Sequence, residues 1–376
     1  MQTYDVLIAG AGIVGCACAL ECAQAGLRVG LIEGNVPGGG ATAAGMGHVV
    51  VMDDSPAQLN LTRYSRSLWQ QLIPRLPDTT EYEARGTLWV AADEEEMAEV
   101  HAKQSTYAAV GVRAEVLNQS EIAAEEPKLR PGLAGGLLVP DDGVVYPPAA
   151  ADWFLQQAIA LGATMLQGSA AISAGKGELR LADGTILHAE RIILATGADC
   201  ALLPGLPIKK RKGHLLITDR YPDFLHHQLV ELGYLKSAHK LEGDSVAFNI
   251  QPRRTGQLLI GSSRQYGNEE SKSDAAILSQ MLERAQSYMP ELAQLSGLRV
   301  WTGFRAATPD KLPLIGPAEC LTDDRTLWLA AGFEGLGITN APGAARLLGD
   351  QILGRSSEID ITPYLPQRVT QAATHA

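Results

Sequence analysis

The sequence predicts an α/β protein with a Rossmann-type dinucleotide-binding domain (a GxGxxG βαβ unit) and a second, substrate-binding domain built on an antiparallel sheet. Two observations predict the first domain: a glycine motif between an apolar run and an Ala-rich segment, and a second apolar run that ends on an acid. Apolar runs joined by turn residues over 214–261 predict the antiparallel sheet. With 376 residues, 46% of them hydrophobic, the chain can bury the cores of two domains.

The glycine motif GAGIVG at residues 10–15 follows a predicted strand over 4–9 and opens an Ala-rich helix. Gly10 permits a tight turn, Gly12 lets the backbone approach a pyrophosphate, and Gly15 lets the helix pack closely on the strand. The pyrophosphate then faces the positive end of the helix dipole. The motif in this context predicts a dinucleotide site.

The second strand is predicted over 28–33 and ends at Glu33, 18 residues after Gly15. That spacing is close to the roughly 20 residues at which an acid meets a ribose hydroxyl. An acid at this position disfavours a 2′-phosphate, and hence NADP. The fingerprint alone does not separate FAD from NAD.

Charge and cysteine content narrow the class of protein. Lys and Arg number 31 against 42 Asp and Glu, a net charge of −11, which disfavours nucleic-acid binding and a basic membrane face. The five cysteines form no CxxC pair and no Cys/His cluster, so we expect no metal site and free thiols in a reducing compartment. The apolar run over 6–20 lacks a basic segment before it and is too short for a membrane span. A cytoplasmic protein with a small-molecule partner is expected.

Apolar periodicity and turn residues place the other elements. Helices are predicted over 64–73, from the acids at 93–96 onwards, and over 153–161 and 341–353. Strands are predicted over 86–92, 178–181, 185–188, 191–195, 214–219, 246–251, 257–261, 298–304 and 326–331. The Pro- and Gly-rich stretch 127–148 is expected to cross between domains. The predicted cofactor domain comprises 1–76, 145–212 and 303–376, and the predicted substrate domain comprises 77–144 and 213–302.

Three separated segments occur in an order that resembles a known family. The first contains the glycine motif, Glu33 and the loop over 42–47; the second is ILATGA at 193–198, a strand that ends in an A-x-G turn. The third runs from WTGFR at 301–305 through TPD and LPLIGP to the glycine-rich turn over 330–338. Together they resemble the D-amino acid oxidase superfamily of FAD-dependent oxidoreductases, which includes glycine oxidase, sarcosine oxidase and D-hydroxyproline dehydrogenase. The resemblance implies noncovalent FAD and hydride transfer from the α-carbon of a small amino acid to flavin N5, which gives an imine.

The resemblance also implies the residues that hold the cofactor. They are Gly10, Gly12, Ile13, Val14, Gly15, Glu33, Gly34, Gly40, Ala41, Thr42, Ala44, Gly45, Met46, Gly47, Ala171, Ile172, Ala195, Thr196, Gly197, Arg305, Gly332, Glu334, Gly335, Leu336, Gly337 and Ile338. A helix beginning near Asn340 would direct N–H groups at flavin N1 and O2, where reduction builds negative charge. Cys320 is the least unsuitable cysteine for a covalent flavin link.

The residues expected to meet the substrate follow from the same resemblance. The arginine that matches Arg305 grips the substrate carboxylate in this family, a task suited to a bidentate guanidinium. Asn249 stands where glycine oxidase would have a carboxylate-binding tyrosine, which makes glycine oxidase itself less favoured. Met46 and His48 follow the flavin-facing loop and are expected to wall the substrate pocket.

Two segments narrow the resemblance. The turn over 332–337 lacks the basic residue of some oxidases, and with the runs over 48–54 and 61–65 it looks nearer to D-hydroxyproline dehydrogenase and the hydrogen cyanide synthase subunit. The favoured substrate is therefore D-hydroxyproline or a similar cyclic amino acid, with glycine, sarcosine or a linear D-amino acid as alternatives. A flavoprotein subunit of an electron-transfer complex and an NAD-dependent dehydrogenase are the competing classes. The electron acceptor (O2, a quinone or another carrier) stays open, as does a homo-oligomer or a partner subunit.

Overall fold

The computed structural model describes residues 3–233 and 243–373. The described strands are Thr3–Ala9 (β1), Val29–Glu33 (β2), His48–Val49 (β3), Thr87–Ala91 (β4), Glu115–Asn118 (β5), Gly135–Val139 (β6), Gly143–Val144 (β7), Thr164–Gln167 (β8), Ala171–Gly175 (β9), Glu178–Leu181 (β10), Ile186–Leu194 (β11), Lys209–Arg220 (β12), Gln228–Glu231 (β13), Ser245–Pro252 (β14), Gln257–Arg264 (β15), Gly297–Ala307 (β16), Leu314–Pro317 (β17) and Leu327–Ala331 (β18). The described α-helices are Ile13–Gln24 (α1), Gly40–Ala44 (α2), Pro56–Leu72 (α3), Glu94–Ala109 (α4), Gln119–Glu125 (α5), Pro147–Ala160 (α6), Ala275–Tyr288 (α7), Gly337–Leu353 (α8) and Gln367–Ala373 (α9).

The first sheet is the Rossmann sheet, in the order β17-β18-β11-β1-β2-β8. β1 pairs in parallel with both β2 and β11, which places the ends of these three strands at one edge. Val6, Leu7 and Ile8 are fully buried, as expected for a strand covered on both faces. α1 packs against α6 and α8 on one side of this sheet. The predicted Rossmann βαβ unit is confirmed.

The second sheet has the order β16-β12-β15-β14-β13-β4-β6-β5. Every neighbouring pair is antiparallel except β13 and β4, which run in parallel. The turn over 253–256 joins β14 to β15 as the sequence predicted, with an N–H of Arg253 bonded to the carbonyl of Gln257. The second domain therefore contains the expected antiparallel sheet, with one parallel pair.

Two of the predicted domain borders fall inside strands. The border after residue 212 lies within β12, and the border after residue 302 lies within β16. Both strands belong wholly to the second sheet, and they pair with each other along most of their length. These long strands carry the chain from one domain to the other without a linker, so the residue-by-residue division remains a proposal.

Several local predictions need correction. The stretch 127–148 is not an irregular crossing, since it contains β6 and β7 and the start of α6. The two strands expected over 185–195 are one continuous strand, β11. α2 lies within the segment read as a glycine-rich loop, α8 begins at Gly337 rather than near Asn340, and α7 was not anticipated. Glycine content concealed the short helix, because glycine is a poor helix former outside tertiary contacts.

No helix within the described ranges is both long enough and apolar enough to cross a membrane.

Candidate active site

A cavity of about 870 Å³ lies between the two sheets. Its walls come from the carboxyl ends of β1, β2 and β11, from the segment over 39–48, from the turn before α8, and from one face of the second sheet. Ligands of open α/β sheets bind at this edge, outside the carboxyl ends of the strands. Every residue that the sequence predicted for cofactor or substrate lines this cavity, except Gly15 and Ile172.

The two exceptions have different reasons. Ile172 is 56% exposed on β9 and does not line the cavity, whereas its neighbour Ala171 does. The assignment of Ile172 to the cofactor therefore stays a prediction that the cavity lining does not support. Gly15 faces the turn instead of the cavity, because a Cβ at this position would lie 1.9 Å from the carbonyl oxygen of Gly10. Gly15 thus has the packing role that the motif assigns to its third glycine.

The first turn of α1 is shaped to receive an anion. Gly10 adopts φ +103°, and a Cβ there would lie 2.5 Å from the carbonyl oxygen of Ala195. The N-cap residue Gly12 offers no side chain to the helix N-terminus, and the N–H of Ile13 donates to Oγ1 of Thr42 at 3.1 Å. The glycines therefore bring bare backbone N–H groups to the cavity, where they suit a pyrophosphate.

Glu33 lies at the end of β2 with its carboxylate held in place. One oxygen accepts the N–H of Ala11 at 3.0 Å, and the other accepts the N–H of Asn35 at 2.9 Å. An ionised carboxylate has about four acceptor positions, so two remain for ribose hydroxyls. This geometry fits the predicted role of Glu33 toward the adenosine half of a dinucleotide.

A second helix N-terminus opens on the same cavity. α8 begins at Gly337 after the N-cap residue Leu336, without a side-chain cap. Both residues line the cavity, as do Gly335 and Ile338. Uncapped N–H groups and the positive end of the dipole suit a group that gains negative charge, as a flavin pyrimidine ring does on reduction. The N-terminus of α1, Glu33 at the end of β2 and the N-terminus of α8 therefore suit the pyrophosphate, the adenosine ribose and the flavin ring of FAD, respectively.

Arg305 on β16 reaches into the cavity over two glycines. Its Nη1 donates to the carbonyl of Ser263 at 2.9 Å. A Cβ at Gly213 would lie 2.5 Å from the guanidinium, and a Cβ at Gly335 would lie 3.4 Å from Nε. We name the space above Gly213 and Gly335 the guanidinium seat. The sequence did not identify Gly213, although a glycine inside a strand often marks such a close approach.

Glu334, predicted as a cofactor residue, also makes an ion pair that the sequence did not foresee. Its carboxylate pairs with Arg211 of β12, and both side chains are nearly buried. Burial raises the pKa of Glu334, and Arg211, Arg305, Arg264 and Lys311 oppose that rise in decreasing order. All five residues line the cavity. The sequence did not identify Arg211, Arg264 or Lys311, because the family resemblance assigned a role to only one basic residue, Arg305.

The opposite part of the wall carries buried polar atoms without a hydrogen-bond partner: Oδ1 of Asn249, Nε2 of His48 and Oε1 of Gln228. Burial lowers the pKa of His48 to about 4, and the Gln251 side chain opposes the change, so the imidazole is neutral at neutral pH. Met46 lines the cavity beside these residues, and its carbonyl accepts a hydrogen bond from the Gln251 amide. Buried polar atoms of this kind are normally hydrogen-bonded, so a polar ligand or water is expected against them.

The chemistry available to the protein side chains is limited to binding and orientation. All five cysteines lie within the described ranges and none lines the cavity; Cys320 is exposed. The described residues contain no group of three or more His, Cys, Asp or Glu that could hold a metal ion. A flavin bound here would supply the two-electron chemistry. The guanidinium of Arg305 would fix a carboxylate, and neutral His48 would contact the ligand without adding charge.

Comparisons with known proteins agree with this geometry. Residues 5–351 match the family model described as DAO, FAD dependent oxidoreductase. Glycine oxidase from Geobacillus kaustophilus is 26% identical over 96% of this chain and 96% of its own length. Hydrogen cyanide synthase subunit HcnC from Pseudomonas aeruginosa is 26% identical over 98% of this chain and 96% of its own.

Solved structures share the architecture. The crystal structure of glycine oxidase from Geobacillus kaustophilus superposes with a TM-score of 0.86 at 26% identity, covering 97% of this chain and 98% of the other. L-proline dehydrogenase from P. horikoshii, 21% identical with 99% of both chains covered, has the same fold with a TM-score of 0.86. The matched family, the cavity and its two helix N-termini lead to one conclusion: the chain belongs to the DAO family of FAD-dependent oxidoreductases and is an FAD-dependent amino-acid oxidoreductase.

Proposed function

We propose that the protein oxidises the C–N bond of D-hydroxyproline or a closely related cyclic amino acid. A bound FAD would accept the hydride from Cα as the substrate nitrogen loses a proton, and the resulting C=N bond of the imine can then be hydrolysed by water. The proposal rests on two separate features of the cavity. One is the guanidinium seat, and the other is Oδ1 of Asn249, which is buried without a hydrogen-bond partner.

Strand register gives the span between these two points. Asn249 of β14 pairs with Gly261 of β15, and a Cβ at Gly261 would touch the Leu215 side chain of β12. Gly213, under the Arg305 guanidinium, precedes Leu215 by two residues. Two strand spacings and two residue rises place the seat and the Asn249 amide on the order of 10 Å apart. Glycine is too short to contact both ends.

A ring hydroxyl would supply a hydrogen-bond partner for the buried polar atoms of Asn249 and His48. A hydroxyl donates one hydrogen bond and accepts others, so it can serve an acceptor such as Oδ1 of Asn249 or either form of Nε2 of His48. Leaving such buried atoms unmet costs about 1–3 kcal/mol each, so a substrate without the hydroxyl binds less well. Asn249 in place of the tyrosine expected for glycine oxidase supports the same substrate.

Glycine oxidation is the second candidate. It is favoured by relatives that carry that name, including glycine oxidase from Pseudomonas aeruginosa at 28% identity over 96% of this chain and 98% of its own length. Sarcosine and linear D-amino acids belong with this alternative. With such a substrate, water instead of a substrate hydroxyl would bind the buried polar atoms of Asn249, His48 and Gln228.

The test is anaerobic bleaching of the flavin absorbance by a substrate panel. The panel contains cis-4-hydroxy-D-proline, D-proline, sarcosine, glycine and D-alanine, and the variant is Asn249→Ala. We expect the hydroxylated ring to bleach the flavin fastest, and the variant to lose about tenfold of its preference for that ring over D-proline, as one lost buried hydrogen bond predicts. Faster bleaching by glycine than by either ring, or an unchanged preference in the variant, would contradict the proposal.

We further propose that the reduced enzyme passes its electrons to a quinone or another carrier, since the narrower resemblance is to a dehydrogenase. Following flavin reoxidation in air and with an added soluble quinone tests this; complete reoxidation by air within the turnover time would contradict it.

A cytoplasmic location is part of the proposal, supported by five cysteines that form no disulfide. A partner subunit and self-association both remain compatible with it.

A further inference from the structure

The ion pair of Glu334 and Arg211 lies directly beside the guanidinium seat. Arg211 and Arg305 are opposite each other in the antiparallel pair of β12 and β16. Like charges at such positions repel each other, because the two Cβ atoms are only about 5 Å apart. Each arginine therefore needs an acceptor that draws it away from the other.

The structure supplies a separate acceptor for each arginine. Nη1 of Arg305 donates to the carbonyl of Ser263, on the β15 side. Arg211 contacts the carboxylate of Glu334 and, at 3.3 Å, the hydroxyl of Tyr266, whose ring lies 5.8 Å from the guanidinium carbon. The two guanidinium groups are thus directed to different partners.

Glu334 is itself held by the backbone. Its N–H donates to the carbonyl of Ala306 at 3.0 Å, and its φ of 52° lies in the left-handed region that few non-glycine residues adopt. Ala306 directly follows Arg305, so this backbone bridge holds the turn that carries Glu334 beside the strand that carries Arg305. The carboxylate position is fixed relative to both arginines.

We infer that Glu334 is a positioning residue that holds Arg211 away from the substrate carboxylate, so that Arg305 and not Arg211 orients it. Without the negative charge of Glu334, Arg211 becomes a competing cation within reach of the carboxylate. The carboxylate then binds at least as tightly, but with the α-carbon displaced from its reactive position. The inference rests on the proposed role of Arg305 and does not depend on which amino acid is oxidised.

The experiment measures binding apart from turnover in the FAD-loaded enzyme. The binding probe is pyrrole-2-carboxylate, a planar ring acid without a hydrogen on Cα, titrated by calorimetry. Turnover is measured with the most active amino acid of the panel. The variants are Glu334→Gln, the double variant Glu334→Gln with Arg211→Gln, and Arg305→Gln. The matched control is Glu269→Gln, the same substitution at the exposed partner of Lys210, which precedes Arg211 on β12 and lies outside the cavity.

Opposite changes in binding and turnover are expected. Glu334→Gln should bind the probe as tightly as the wild type or tighter while kcat falls roughly tenfold, a loss of orientation without loss of affinity. The double variant should recover most of kcat, because the competing cation is gone. Glu269→Gln should change neither quantity beyond twofold.

Two results would overturn the inference: an unchanged kcat in Glu334→Gln, or a parallel loss of binding and kcat that the double variant does not repair. The Arg305→Gln arm separates this failure from failure of the premise. If that variant binds the probe like the wild type, Arg305 is not the carboxylate ligand and the proposed site assignment is wrong. If it loses binding while Glu334→Gln behaves as wild type, only the inference fails.

Discussion

His48 shows how burial, rather than residue type, fixes the state of a single side chain. The sequence placed it near the substrate, and the structure places it on the cavity wall with Nε2 lacking a partner. Desolvation lowers its pKa to about 4, so it carries no charge in the pH range where the enzyme would work. A neutral His48 can therefore offer a hydrogen bond to a ligand without adding a charge to the cavity.

A change at His48 should alter the way in which the stability of the protein depends on pH. The folded-state pKa lies below the unfolded value of 6.5, so the stability is fully present above pH 6.5 and is lost as pH falls toward 4. His48→Gln removes the titrating group. Between pH 7.5 and 5, the wild type should lose about 1–2 kcal/mol more unfolding free energy than the variant, measured by urea denaturation. Parallel pH profiles for the two proteins would show that His48 is not desolvated.

α1 illustrates, at the scale of an element, how a sequence motif depends on packing. A Cβ at Gly15 would meet the carbonyl of Gly10, which is backbone and cannot move aside. The helix therefore sits against the turn only if residue 15 is glycine, and this contact aims the helix N-terminus at the cavity. The motif could be read from the sequence because its constraints are local.

Gly15→Ala should release the cofactor. The added methyl group shifts α1 from the turn, so the N–H groups near Gly12 no longer converge on the pyrophosphate. We expect the purified variant to retain less than about a tenth of the wild-type flavin per chain, with a lower thermal midpoint. The control is Gly184→Asn, at an open hairpin turn whose left-handed conformation asparagine tolerates. Wild-type flavin content in Gly15→Ala would contradict the packing argument.

At the scale of the whole molecule, one buried carboxylate joins the two domains. Asp142 precedes β7 and is inaccessible to solvent. It accepts hydrogen bonds from Arg66 of α3 at 2.8 Å, from Thr87 of β4 at 2.6 Å and from the N–H of Val51 at 3.2 Å. Elements from both predicted domains thus share one acceptor, beside the cavity that Thr87 lines.

Replacing Arg66, which supplies the positive charge beside Asp142, should destabilise the fold, and the loss should be larger at pH 8 than at pH 5. Burial raises the pKa of Asp142 to about 6, while Arg66 opposes the rise. The folded pKa lies above the unfolded one, so this carboxyl favours the folded state at low pH and loses that contribution as pH rises through about 6. Arg66→Met removes the opposing charge and should cost about 3–5 kcal/mol of unfolding free energy at pH 8. The cost should be smaller at pH 5, as measured by denaturant titration at both pH values.

Asp142→Asn is the matched variant for this junction. It keeps a hydrogen-bonding group of the same size and removes the titration, so its unfolding free energy should vary less between pH 5 and pH 8 than that of Arg66→Met. Equal losses for Arg66→Met at the two pH values would show that Asp142 is not the group that responds.

What the sequence determined by itself is the chemistry that local patterns encode. Residues 10–15 with Glu33 predicted the dinucleotide site, apolar runs with turn residues predicted the antiparallel sheet, and the order of family motifs predicted FAD. The fold and the cofactor are confirmed, because turns, strand ends and glycine contacts depend on residues near in sequence. The role of Arg305 toward the substrate stays a prediction. The sequence could not show that the side chain of Ile172 is exposed outside the cavity, because exposure on an outer strand is not a local property.

Only the tertiary structure decided which distant residues share the cavity. Arg211 meets Glu334 across 123 positions of sequence, and Gly213 makes room for Arg305 from a neighbouring strand. Sheet register sets both contacts, and register is fixed by the pairing of whole strands, not by the residues themselves. The cofactor could therefore be inferred from the sequence, whereas the arrangement of charges that orients a substrate required the folded chain.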